Sequence, residues 1–120
     1  MTEKDLTLDR YYSLVPRNFP VLVRLEILQT IPPEMLLGAI SIHIELRPSE
    51  EEDRRRLFLS FQGVVNLQIK QEWSEFAFSE IKVVSIQDHQ WEQLNYKVYD
   101  EDEESISFFC RSFEASIKEV

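Results

Sequence analysis

The chain has 120 residues and carries 13 Lys and Arg against 22 Asp and Glu, a formal net charge of −9. A chain of this size buries about 60% or more of its unfolded surface, so residues 1–120 are expected to form one domain with a core that needs neither disulfide nor metal. So acidic a surface repels phosphate backbones, and no basic, aromatic-studded stripe interrupts it; this argues against nucleic acid and favours a basic protein as partner.

In chain order, Leu8, Tyr11, Tyr12 and Val15 fall at i, i+3, i+4, i+7, which predicts a short helix over residues 8–15, with Thr7 as a candidate cap and Pro16 as its end. From Val21 the period becomes two, with Val21, Val23, Leu25 and Ile27 on one face. Pro32 and Pro33 interrupt this first strand, because proline supplies no ladder N–H. Residues 40–47 show the cleanest alternation, Ile40, Ile42, Ile44 and Leu46 inward and Ser41, His43, Glu45 and Arg47 outward, closed by Pro48 and an acidic loop from Ser49 to Asp53. Leu57, Leu59 and Phe61, then Val65, Leu67 and Ile69, keep the period on either side of Gly63; one long bent strand or two strands joined there are expected, with the odd residues inward throughout.

Residues 71–80 lose the pattern and read as loop plus a short strand or turn, whereas residues 81–87 are β-branched enough for a strand with apolar groups on both faces. Leu94, Tyr96 and Val98 alternate again. The acidic block Asp100, Glu101, Asp102, Glu103, Glu104 then separates them from Ile106, which is a hairpin signature. Consecutive carboxylates are costly to desolvate, so all five are expected in the exposed connection. Ile106, Phe108 and Cys110 share one face and Phe109, Phe113, Ala115 and Ile117 the other; a phase slip near Phe109 implies a bulge, or a strand buried on both faces. The sequence contains no internal repeat and only two glycines. The expected fold is all-β, a single domain of about six to eight antiparallel strands in a curved sheet or sandwich, with at most a short N-terminal helix.

Catalytic and metal-binding patterns are sparse. Asp88, His89 and Glu92 cluster, but two histidines and one cysteine in the whole chain fit no zinc-ligand spacing, and an ordinary polar turn anchored by Trp91 accounts for the cluster. His43 projects to the polar face of its strand, where an exposed cross-strand contact accounts for it, and a general base would also need a positioned partner. Cys110 reads as a buried small hydrophobe, and no phosphate loop, nucleophile elbow or zincin pair is present. The expectation is a non-enzyme without a cofactor. With a lone cysteine, no basic-then-apolar leader after Met1 and no apolar run near the ~20 residues of a membrane span, the expected setting is cytoplasmic and away from membranes.

Charge is regional. Residues 1–71 hold 9 basic and 10 acidic side chains, net −1, and residues 72–120 hold 4 and 12, net −8. One reading is a solubilising C-terminal half. The other is a negative field that steers a basic partner, with Asp100, Glu101, Asp102, Glu103 and Glu104 as recognition tip and Trp91, Tyr96 and Tyr99 as aromatic anchors. An exposed edge strand also leaves room for a homodimer.

The order of segments, from Val15-Pro16 and Leu25-Glu26-Ile27 through residues 40–48 and 57–67 to residues 106–110, resembles small bacterial immunity-type proteins of the Imm50-like kind across most of the chain. The matching positions are mainly apolar strand residues, and the loop after Pro48 departs from that family's pattern, so no functional residue carries over. The resemblance implies a cytosolic protein that binds and neutralises a toxin. The alternative function is a small β ligand-binding or accessory domain.

Overall fold

Residues that alternate in polarity form half-buried strands, and here they build two sheets face to face. The computed structural model describes residues 6–30, 39–70, 80–86, 94–100 and 105–120. Helix α1 (Leu6–Ser13) and a 3₁₀ turn (Pro16–Asn18) precede strands β1 (Val21–Thr30), β2 (Ala39–Arg47), β3 (Arg55–Gln62), β4 (Val65–Ile69), β5 (Ile81–Ser85), β6 (Tyr96–Asp100), β7 (Ile106–Cys110) and β8 (Ser112–Glu119). One four-stranded sheet has the order β1-β2-β3-β8 and the other β4-β7-β6-β5, all pairings antiparallel. The fold is therefore all-β with one short N-terminal helix, as the alternation predicts.

The two sheets share two continuous chain segments. β3 continues into β4 through Gly63, and β7 into β8 through Arg111, so one bent pair of chains serves both sheets. At the bend the Arg111 N–H donates to the Gln62 carbonyl at 2.9 Å, and Gly63 adopts φ +65°, a left-handed conformation that favours glycine. Arg111 also accounts for the slip near Phe109: before it Phe108 and Cys110 face the core, after it Phe113 does, because the chain has changed sheets. Exchanging β1, β2, β3 and β8 for β5, β6, β7 and β4 reproduces the strand order, so the connectivity has an approximate two-fold.

The core fills the space between the sheets. Ile42, Ile44, Leu46, Leu57, Leu59 and Phe61 enter from one side and Ile81, Val83, Val98, Ile106, Phe108 and Cys110 from the other. Phe61 sets its ring edge-on to Phe108 at 5.0 Å and stacks on Phe113 at 5.9 Å, while Tyr96 meets Phe113 at 4.9 Å. Each such side chain contributes about 1.5–3 kcal/mol by leaving water, and each aromatic pair adds about 0.5–1.5 kcal/mol.

Helix α1 lies against β8 and β5. Tyr11 is fully buried and its hydroxyl donates to the Ile81 carbonyl at 2.6 Å. The Tyr12 hydroxyl accepts from the Val83 N–H at 3.0 Å and donates to the Val83 carbonyl at 2.8 Å. Ile81 and Val83 are two apart, so both offer their outward backbone groups on the free side of β5, and the tyrosines satisfy what a further strand would have paired.

Three local expectations need correction. The helix spans Leu6–Ser13 rather than residues 8–15, which puts Thr7 inside it. It stops early because Val15 takes φ 54°, ψ 66°, outside the right-handed region that a residue before proline also disfavours. A bulge between Leu22 and Arg24 shifts β1, so Val21 pairs with Arg47 on the outer face while Leu22 pairs with Leu46 and Leu25 with Ile44 on the inner one. After the Gly63 bend it is Val64 that is buried, whereas Val65 and Ile69 are exposed, and Asn66 at φ 55° marks an irregular register there. The expected loop over residues 71–80 lies outside the described residues except for Glu80.

Candidate functional site

Two surfaces merit description: the ends of β6 and β7 that flank the acidic run, and the outer face of the β1-β2-β3-β8 sheet.

β6 and β7 form the expected hairpin, with Tyr99 opposite Ser107 and Tyr96 opposite Cys110. Inward side chains on β6 fall at Tyr96, Val98 and Asp100, all buried. Tyr96 therefore packs in the core. Asp100 is only 2% exposed, and its Oδ1 accepts the Ile106 N–H at 3.2 Å across the mouth of the hairpin. Its expected place in an exposed tip is corrected on this ground: strand parity turns it inward, and a backbone donor offsets part of its desolvation. Tyr99 points the other way and is half-buried, opposite Lys82 on β5, with the Lys97 ammonium 5.5 Å from its ring centroid. Trp91, Glu101, Asp102, Glu103 and Glu104 lie outside the described residues, as do Asp88, His89 and Glu92. Of the sequence-derived site, the structure thus brings Tyr99 to the surface and Tyr96 and Asp100 to the interior.

The second surface was not singled out by sequence reasoning. An open trough of about 910 Å³ crosses the outer face of the β1-β2-β3-β8 sheet, with Leu6, Thr7 and Arg10 of α1 among its lining. Two cross-strand rows contribute to it: Glu26, His43, Ser60 and Glu114, and beside them Arg24, Glu45, Phe58 and Ser116. Arg24 Nη2 pairs with Glu26 Oε2 at 2.6 Å, and Arg56 Nε with Glu45 Oε2 at 3.6 Å. The outward set Ser41, His43, Glu45 and Arg47 was legible in the sequence; that His43 and Glu45 of it line a trough depends on pairing across four strands, which no local pattern encodes.

Glu26, His43 and Ser60 are the residue types of a triad, but their contacts are not. Ser60 Oγ accepts from Gln62 Nε2 at 2.9 Å, and among the described residues no hydrogen bond joins His43 to Glu26 or Ser60. The nucleophile–base contact that activates a hydroxyl is missing from this row. Cys110 is fully buried between Tyr96 and Phe108 positions on the inner face, and burial pushes its thiol up to about 12, away from the thiolate that reactivity requires. Among the described residues no group of His, Cys, Asp and Glu is placed to hold a metal ion, and no helix is long and apolar enough to cross a membrane.

The profile of the family described as immunity protein PIM8 matches residues 4–116, nearly the whole chain. The chain belongs to this family. Its type is thus the immunity type that the segment order suggested, and the family takes in both surfaces described above. Comparison with curated proteins and with solved structures gives no significant match.

Proposed function

We propose that this member of the PIM8 family neutralises a basic protein toxin by binding it, without catalysis of its own. The observation that carries this reading is the match over residues 4–116 to a family of immunity proteins. The net charge of −9 supports a cationic partner, since opposite net charges raise the rate of encounter. The contact we assign is the acidic run of Glu101, Asp102, Glu103 and Glu104, with Tyr99 and Trp91 as aromatic anchors. The buried Asp100–Ile106 contact supports this choice, because it ties together the two strands from which the run departs. A pre-ordered base lowers the entropy lost on association. Tyr96 and Asp100 act in this scheme as supports.

The trough favours a second reading, a small β domain that takes a ligand or serves as an accessory subunit. Co-expression separates the two. The chain is produced beside each candidate toxin encoded by the genes that flank its own, with growth as the readout and complex formation by the purified pair as a check. Restored growth and a stable complex are expected. Undiminished toxicity in the presence of folded chain, with no complex, overturns the toxin reading and leaves the ligand-binding one.

A further inference from the structure

The approximate two-fold of the strand order makes β1 the counterpart of β5, and the two edges are treated differently. The free side of β5 is closed by the hydroxyls of Tyr11 and Tyr12. β1 is ten residues long, and among the described residues it pairs only with β2. Val23, Ile27 and Leu28 on it are 46%, 45% and 49% exposed. A long edge with exposed apolar side chains is a template for another strand.

Its sequence specifies which strand fits. A two-fold axis normal to a sheet keeps each side chain on its own face, so in an antiparallel pair of identical strands only residues an even number of positions apart face each other. Centring the axis on Arg24 sets two guanidinium groups opposite each other, and centring it on Glu26 sets two carboxylates opposite each other. Centring it on Leu25 sets Arg24 against Glu26 of the second copy, and Glu26 against Arg24. The bulge between Leu22 and Arg24 reverses the face of the residues before it, with Leu22 on the inner face and Leu28 on the outer, so the matched ladder is Arg24, Leu25 and Glu26. Pro20 and the bulge at Leu22/Arg24 confine the ladder to the middle of the strand. Long-range charge does not oppose the approach strongly either: residues 1–71, which contain β1, have net charge −1.

We infer that the chain forms a two-fold dimer through β1, with Leu25 on the axis and Arg24 and Glu26 exchanged between copies. The two sheets then join as one eight-stranded sheet, and because the axis is normal to it both troughs open on the same side. Toxin binding is not required for this and does not follow from it.

Sedimentation of the full chain tests the inference, with charge reversal as the probe. The native chain is expected at twice its 14.3 kDa mass. R24E puts two acids at the facing positions and E26R two bases, so each repels itself, and each is expected to weaken association by about tenfold or more. An equimolar mixture of R24E and E26R is complementary and is expected to recover a dimer, a result that lost folding cannot produce. Circular dichroism of each variant checks that the fold persists. A native chain that stays monomeric up to its solubility limit, single variants that dimerise as tightly as the native chain, or a mixture that remains monomeric each overturns the proposal.

Discussion

Asp100 shows how one residue's place in a strand outweighs its composition. It belongs to a run of five acids, yet it is the last inward position of β6 and lies in the interior with its carboxylate on the Ile106 N–H. Removing that acceptor leaves a buried donor unpaired, so Asp100→Ala is expected to cost about 1–3 kcal/mol. Asp100→Asn, which keeps an oxygen for the N–H, is expected to cost less. Urea denaturation followed by Trp fluorescence checks both; equal losses would mean that the acceptor role does not carry the effect. Cys110 gives a second residue-level test. Burial raises its thiol from the ordinary 9.0 to about 12, and raises the hydroxyls of Tyr11 and Tyr12 above their ordinary 10.0, chiefly by desolvation. In each case the folded state holds its proton more tightly than the unfolded state. The contribution is complete below the ordinary value and is lost as pH rises above it. Stability is therefore expected to hold up to about pH 9 and then to fall, approaching about 1.4 kcal/mol per pH unit for each of the buried groups Cys110 and Tyr11, with a smaller effect from the half-exposed Tyr12. Cys110→Ala should delay the onset of that fall to the tyrosine range, near pH 10.

At the scale of elements, the bend at Gly63 and Arg111 decides the architecture. Without it β3 and β8 would run on as one flat ladder, and the two halves of the core would not meet. The close approach of the chains there is visible in the space left at Gly63: a Cβ on it would come within 2.9 Å of the Arg111 Cβ, and the backbone is left-handed at φ +65°. Gly63→Ala is expected to destabilise by about 2 kcal/mol or more through strain and contact together, measured as a lower urea midpoint with an unchanged slope. A loss of only a few tenths would mean that the bend yields easily. This element was legible beforehand, because a glycine between two runs of period two marks a bend. The alternation of β2 and the β6–β7 hairpin were legible for the same reason: their signals lie within a few consecutive residues. The phase of β1 was not, because its bulge is set by pairing with β2. Nor was the burial of Val64 in place of Val65, which follows from the geometry past the bend. The capping of β5 by Tyr11 and Tyr12 joins residues about 70 apart in the chain, beyond the reach of any local pattern.

Across the whole molecule, charge is distributed unevenly along the chain. Residues 72–120 carry net −8, with Lys82 on β5 and Lys97 on β6 beside Tyr99 among their four bases. Four consecutive acids of that segment, Glu101, Asp102, Glu103 and Glu104, form the contact proposed above. If that run guides a basic toxin, its contribution belongs mainly to the association rate, since exposed charges act at a distance and are screened over about 8–10 Å at physiological salt. Replacing these four acids by Ser is expected to slow association by about tenfold at low salt and to flatten the dependence of the rate on ionic strength, while leaving dissociation nearly unchanged. Stopped-flow kinetics with the purified toxin measures both. The stability of the chain itself should shift little, because Asp100, which holds the Ile106 N–H, stays in place. An association rate that keeps its salt dependence after the replacement would move the contact elsewhere, and the trough beside α1 would then be the next surface to alter, beginning with Glu114 and Arg10, which lie in its lining.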